Sequence, residues 1–341
     1  MTPNVTTFFE IDHQTVLFTH PSGLQAIAVI ADTTLGPALS PLGVQNVTDQ
    51  QAAAIARKKG DALAIKCALH DVGHGGGCVV VMADPATVNR QHMQELAAAV
   101  CDHYAGCMVV GQDVGVSAED MAAVASMVKE KGTVAYHPDV DHAAVTAKGV
   151  RMGIDACLSY YFNGAGPMNP VIVVQGMGKV GQPLVEELRN HVSSEVHYAD
   201  RHDGATADPW RVPANDVYKT PCDVLSPCIS EVGKITVDVV EKVQCKIIAG
   251  SSNVQFANEN ALWQAHDRGI LHAPDPVING GGVIAATQHT QAEVDAKLAR
   301  IPATLKAIFD QSARDNRPPM LVAQDMGREI IRKANPHKRG F

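Results

Sequence analysis

The segment Val171-Ile-Val-Val-Gln-Gly176-Met-Gly178-Lys179-Val180-Gly181 constrains this chain more than any other. Its β-branched run reads as a buried strand, and it enters Gly-x-Gly-x-x-Gly directly before a helical stretch from Pro183 to Asn190. A strand, a glycine turn and a helix in that order form the phosphate-binding corner of a dinucleotide fold. Gly176 permits the tight turn, Gly178 lets backbone N–H groups approach a pyrophosphate, and the helix N-terminus adds partial positive charge. The next strand pattern, Glu195-Val-His-Tyr-Ala, ends on Asp200, 24 residues past Gly176. A carboxylate there accepts hydrogen bonds from ribose hydroxyls and repels a 2′-phosphate, so NAD is expected and NADP is less favoured. Arg201 and His202 beside it soften that preference. The competing reading is a structural turn with no ligand.

At 341 residues the chain is long enough for two domains of about 100–200 residues each. Apolar residues make up 46% and charged residues 19%, which supplies material for two cores. The net charge of −8 argues against nucleic acid or an anionic membrane as a partner. Eight cysteines with no paired C-x-x-C spacing are not a disulfide framework. No apolar run approaches the roughly 20 residues that span a bilayer, and Met1-Thr-Pro-Asn-Val lacks a signal-peptide pattern, so a cytoplasmic location is expected.

Residues 15–31 read as a strand pair, Thr48 to Leu69 as a helix, Gly73 to Gly77 as a turn and Cys78-Val-Val-Val-Met as a strand. Gln91 to Ala105 reads as a helix, and Met108-Val-Val as a buried strand delivering Gln112-Asp113. Pro138 to Thr146 reads as a linker, followed by a helix from Ala147 to Tyr161. Strands and helices then alternate to about Ala286, the pattern of a parallel doubly wound sheet. Helices fill Gln291 to Ala313, and a last helix from Leu321 to Ala334 is expected to return to the first domain. The expected architecture is α/β with two domains. Residues 1–140 plus 318–341 form a substrate-binding and oligomerisation domain, and residues 141–317 an NAD-binding Rossmann domain.

Upstream of the fingerprint stands Lys66-Cys-Ala-Leu-His-Asp-Val-Gly-His-Gly-Gly-Gly-Cys78. With Asp32-Thr-Thr-Leu-Gly-Pro-Ala-Leu39, Gly111-Gln-Asp113-Val-Gly-Val-Ser-Ala-Glu-Asp120, Pro221-Cys-Asp-Val-Leu-Ser-Pro-Cys228, Ile248-Ala-Gly-Ser-Ser-Asn253 and Ala273-Pro-Asp-Pro-Val-Ile-Asn279-Gly-Gly-Gly-Val283, it runs in one order along nearly the whole chain. This series resembles the amino-acid dehydrogenases acting on glutamate, leucine, phenylalanine and valine, the leucine enzymes most closely. The resemblance implies that Lys66 binds a substrate carboxylate and that Asp113 assists proton transfer at the amino group. It also implies that Asn253 and Asn279 line the nicotinamide, while the fingerprint residues Gly176, Gly178, Lys179, Val180 and Gly181, with Asp200 and Arg201, remain the candidates for the pyrophosphate and adenine ribose. The residue after Asn253, often Asn in the family, is Val254. Asp223 and Cys228 match fold-forming positions, and Cys222 and Cys228 are read as packing, with a metal or redox role as the alternative. Side-chain pocket positions correspond to Leu39, Gly111, Val283 and Ala286. Two of these are small, which favours a bulky apolar or aromatic amino acid, although all four could be ordinary core.

Two departures from the family pattern bear on the chemistry. Ser40-Pro41-Leu42-Gly43-Val44 replaces a Gly-Gly-x-Arg-Met stretch, and Cys78 replaces the lysine that acts as catalytic base. A thiol of ordinary pKa about 8.5, lowered further by Lys66, would serve as base or nucleophile. His70 and His74 are alternative bases. With Asp71 and Cys78 they also have the spacing of metal ligands, although a role as polar neighbours is open and no metal is assigned. The implied activity is NAD-dependent interconversion of an apolar L-amino acid and its 2-oxo acid with ammonia. The alternatives are an imine or carbonyl reductase that releases no ammonia and a silent NAD-binding scaffold. The expected partners are a small-molecule substrate and further copies of the chain, as a dimer or octamer.

Overall fold

A computed structural model describes residues 6–12, 14–135, 140–165, 167–191, 194–201 and 209–335. Pro138 and Asp139 of the segment expected as a linker, and also His202, lie outside them. The chain divides into two compact units, Met1–Asp139 with Gly327–Phe341, and Val140–Met326.

The first unit contains β1 (Thr7–Asp12), β2 (Thr15–Thr19), β3 (Gln25–Asp32), β4 (Ala38–Gln45), α1 (Asp49–His70), β5 (Gly75–Met82), α2 (Arg90–His103), β6 (Met108–Gln112), α3 (Ala118–Met127) and β7 (Val134–Ala135). Its sheet runs β1-β2-β3-β5-β4-β6-β7. Pairing is antiparallel from β1 to β5 and parallel from β5 to β7. Helix α1 opens on a capping box in which Thr48 Oγ1 accepts from Gln51 N and the Gln51 side chain accepts from Thr48 N. It covers one face of the sheet, where Ala52 and Ala56 pack with Ile27, Val29, Cys78 and Val80. On the opposite face Phe18, Leu42, Val79, Val81, Met93 and Leu96 form the larger core.

The expected glycine turn is shorter than the glycine run. Only Asp71 to His74 turn the chain, and Gly75, Gly76 and Gly77 belong to β5. The reason is proximity to α1. A Cβ on Gly76 would stand 2.1 Å from the carbonyl oxygen of Gly60, so bare backbone is what lets helix and strand lie flush. The Ser40-Pro41-Leu42-Gly43-Val44 stretch is also regular structure. It forms the middle of β4, with Pro41 in a strand paired on both sides and lacking one ladder donor.

The second unit contains α4 (His142–Tyr161), β8 (Val171–Gln175), α5 (Gly181–His191), β9 (Glu195–Ala199), β10 (Cys222–Pro227), α6 (Val237–Lys242), β11 (Cys245–Ile248), α7 (Glu259–Asp267), β12 (Leu271–His272), α8 (Asp275–Ile278), α9 (Gly281–Thr287), α10 (Gln291–Leu298) and α11 (Ile301–Asp315). Helix α4 starts five residues earlier than expected because the Asp141 carboxylate accepts from Ala143 N and Ala144 N, which caps it. The sheet is fully parallel in the order β12-β11-β10-β8-β9, so the sequence in which strands are laid across the sheet reverses between β8 and β10. The carboxyl end of such a switch point is where open α/β sheets bind ligands. Asp223 ties the unit together, with Oδ2 accepting from Val171 N at 2.9 Å and Oδ1 from Lys246 Nζ at 2.7 Å.

Helix α12 (Pro319–Ala334) closes the described chain. In the first unit Gly327 abuts Ile65 and Ile331 packs with Ala64 and Ala68, whereas Met320 and Leu321 pack in the core of the second. No helix among the described residues is long and apolar enough to cross a membrane.

Candidate functional site

The first unit gathers its candidate groups on the face of the sheet that α1 covers. Residues level across a parallel ladder point the same way, and Pro41 is level with Gly111 and, by the Leu42–Val79 pairing, with Cys78. Leu39, Pro41, Cys78 and Gly111 therefore share one face. Asp113, two residues past Gly111, continues it just beyond β6. Leu39, Gly111 and Cys78 are buried, whereas Asp113 keeps 23% of its side chain exposed.

Cys78 does not fit the role of thiolate. Its side chain is 1% exposed in an apolar cluster, and Sγ faces the Pro41 carbonyl oxygen at 3.5 Å. Burial pushes its pKa up to about 12, against the lowering effect of one nearby cation. That cation is Lys59, not Lys66 as the sequence suggested. Lys66 acts instead on Cys67, whose thiol burial also pushes up to about 12. At neutral pH Cys78 is a neutral, enclosed thiol. Lys59 also makes the most conspicuous contact of this face, donating to Asp113 Oδ2 in a half-exposed ion pair. Gly43 borders the pair, since a Cβ there would stand 3.3 Å from the same oxygen.

Lys59 carries no motif of its own, but its spacing from Lys66 is a signal. Lys59 precedes Lys66 by seven residues, two helical turns, so the two lie on one face of α1. Lys66 is partly buried and His70, at the last position of α1, is 5% exposed. Asp71 then turns left-handed at φ 52°, which ends the helix. His74 consequently leaves the Lys66–His70 face, and its Nδ1 meets the Val72 carbonyl at 3.0 Å. The four-residue spacing thus makes no helical ligand pair, and no group of three or more His, Cys, Asp or Glu among the described residues stands close enough to hold a metal ion.

In the second unit Gly176 has φ +100°, and a Cβ there would meet the Cys228 carbonyl oxygen at 2.6 Å, so turn geometry and the close approach of β10 both require glycine. Gly178 differs, because a Cβ would meet nothing within 4 Å. Protein packing does not explain its bareness, and an open backbone at the start of an 11-residue helix fits a dinucleotide pyrophosphate. Lys179 is exposed and Val180 half-buried beside it. Asp200 Oδ2 accepts from Met177 N at 2.6 Å, which locks the acidic residue onto the fingerprint loop. Arg201 forms an ion pair with Glu231. Asn279 is 7% exposed, and its Nδ2 donates to Ser251 O at 3.0 Å and to Asn253 Oδ1 at 2.8 Å, orienting the exposed Asn253. Val254 adopts φ 47°, a left-handed conformation rare for a β-branched residue, while its N–H donates to Asp275 Oδ2 at 3.2 Å. Val283 is buried and Ala286 half-buried on α9.

Comparison with known proteins agrees with both halves. The family described as Glu/Leu/Phe/Val dehydrogenase, dimerisation domain, matches residues 13–130, and Glutamate/Leucine/Phenylalanine/Valine dehydrogenase matches residues 185–335. The chain is 29% identical to leucine dehydrogenase of Thermoactinomyces intermedius over 324 residues, covering 91% of this chain and 88% of that one. It is 30% identical to L-tryptophan dehydrogenase of Nostoc punctiforme over 320 residues, 88% of each. The crystal structure of L-tryptophan dehydrogenase from Nostoc punctiforme matches with a TM-score of 0.78 at 26% identity, covering 92% of this chain and 94% of that one.

Proposed function

The chain belongs to the glutamate/leucine/phenylalanine/valine dehydrogenase family, and from that premise we propose that it interconverts a bulky apolar or aromatic L-amino acid and its 2-oxo acid with ammonia, using NAD. The observation that carries this reading is the joint presence of an open fingerprint corner at Gly178 and a carboxylate at Asp113 on the face that also carries Gly111. The bound nicotinamide supplies a hydride acceptor or donor. Lys66 holds the substrate carboxylate by charge, and Asp113 moves a proton at the substrate nitrogen. Asn279 holds Asn253 in position toward the nicotinamide. Asp200, fixed by Met177 N, favours a free ribose 2′-hydroxyl over a 2′-phosphate. Gly111 and Ala286 leave room for a large side chain, in keeping with relatives named for phenylalanine and tryptophan.

Cys78 acts as filler in this reading and His70 lies buried, so neither serves as the base. Cys78, at the position where the family resemblance implies a lysine, favours a second reading, an imine or carbonyl reductase that releases no ammonia. A homo-oligomer fits the exposed edge strand β1, which presents Phe8, Phe9 and Ile11 at 60%, 68% and 47% exposure. Absorbance assays of NADH oxidation with aliphatic and aromatic 2-oxo acids, each with and without ammonium, separate the readings. Ammonium-dependent turnover, fastest with large side chains, is the expected result. Turnover indifferent to ammonium would establish a carbonyl reductase, and none with any oxo acid would remove the amino-acid dehydrogenase and the carbonyl reductase, leaving an imine substrate or a silent NAD-binding scaffold.

A further inference from the structure

Position 78 offers no base, yet an amine stands at the same place in the fold. Lys59 reaches the Asp113 carboxylate from α1, and its charge and that of Asp113 are both felt by the Cys78 thiol. Its side chain is 35% exposed, so solvent reaches the pair. Gly43 puts no side chain of its own beside the shared oxygen, where a Cβ would stand 3.3 Å from Asp113 Oδ2 and 3.5 Å from Gln45 Nε2. A partly exposed ion pair of this kind contributes little to stability, so fold maintenance is a weak reason for it.

We propose that Lys59 is the general base of this site, delivered from helix α1 in place of the lysine that strand β5 would carry at position 78. The proposal rests on the amino-acid dehydrogenase reading above. Once hydride has left the substrate carbon, Lys59 passes its ion-pair proton to solvent, and a water oxygen then bonds to the iminium carbon while the Lys59 amine takes the water proton. Lys59 returns that proton through the Asp113 carboxylate to the nitrogen of the carbinolamine. The C–N bond then breaks and ammonia leaves with its electron pair. As the C=O bond forms, the hydroxyl proton passes to Lys59 and on to solvent. Amination runs the same steps in reverse. One amine and one carboxylate suffice, and Cys78 takes no part.

The test compares Lys59→Met, Lys59→Arg and the double variant Lys59→Met/Cys78→Lys with the wild-type chain. The readouts are kcat and KM for reductive amination, NADH and oxo-acid dissociation constants, and melting temperature. Positioned acid–base groups are worth about 10²–10⁴-fold, so Lys59→Met is expected to lose at least about 100-fold in kcat, with both dissociation constants within about threefold and the melt unchanged. Lys59→Arg keeps the ion pair with Asp113 but cannot act as a base, and is expected to be as slow. Moving the amine to the strand in the double variant is expected to recover at least about tenfold over Lys59→Met. Activity in Lys59→Arg near wild type would show the ion pair to be structural and overturn the proposal, as would retention of turnover by Lys59→Met. If the buried lysine prevents the double variant from folding, the Met and Arg variants decide alone. Absence of ammonium-dependent turnover in the wild-type chain overturns the proposed amino-acid dehydrogenase activity and this proposal together. Wild-type turnover that survives Lys59→Met overturns this proposal only.

Discussion

Cys78 separates two accounts of the site, because a catalytic thiol and a packing thiol differ in measurable reactivity. With its pKa near 12, Cys78 at pH 7.5 is thiolate to about 3 × 10⁻⁵, whereas a thiol of ordinary pKa about 8.5 is roughly 10% thiolate. Thiolate is the species that alkylates, so Cys78 is predicted to react with iodoacetamide at least about 10³-fold more slowly than an ordinary thiol, before enclosure slows it further. The exposed Cys107 serves as the control within the same molecule. Isotope-coded alkylation followed by peptide mass spectrometry reads both sites at once. The companion variant Cys78→Ala removes one sulfur from a packed cluster, at a cost of about 1 kcal/mol, and is predicted to keep kcat within about threefold. Alkylation of Cys78 within tenfold of Cys107 would refute the burial argument. So would a loss of 100-fold or more in Cys78→Ala with an unchanged melt.

Val254 holds a left-handed backbone that asparagine tolerates and a β-branched residue does not, a strain of about 1–2 kcal/mol. With 46% of Val254 exposed, Val254→Asn forfeits little burial and is predicted to raise the melting temperature by about 2–5 °C, and a lower melt would show the backbone is unstrained. His272 is 1% exposed, both ring nitrogens lack a hydrogen-bond partner among the described residues, and burial pushes its pKa down to about 3. The unfolded chain takes up that proton near pH 6.5 and the folded chain does not. Its contribution is therefore complete above about pH 6.5 and is lost as pH falls toward 3, at about 1.4 kcal/mol per pH unit. Urea unfolding across that window is predicted to show a shallower pH slope in His272→Leu, and parallel slopes would contradict it. On the outer edge of β1, Phe9→Lys is predicted to lower the mass seen by analytical ultracentrifugation, and an unchanged mass would place the interface elsewhere.

Those features that depend on local pattern were legible in the sequence. The apolar run into Gly176, the helix after it and the alternation through the second unit are short-range signals, and the parallel sheet realises them. The glycines before Cys78 were read as a turn because glycine marks turns, whereas the closeness of Gly76 to Gly60 is a tertiary fact no local window contains. Pro41 hid β4 for a similar reason, since proline in a central strand contradicts the usual rule. The pKa of Cys78 was misjudged because the cation assigned to it was chosen by closeness along the chain. Burial and Lys59 set it instead, and both follow from how α1 lies over β5. Lys59 was visible as a helix-face partner of Lys66, but its contact with Asp113 links positions 54 residues apart.

The most direct test of the proposed chemistry is product analysis after incubation of the chain with NADH, an aromatic 2-oxo acid and ¹⁵N-ammonium. Mass spectrometry is predicted to find the L-amino acid carrying ¹⁵N in amounts matching the NADH consumed. A 2-hydroxy acid in its place, with no ¹⁵N incorporated, would contradict the dehydrogenase reading.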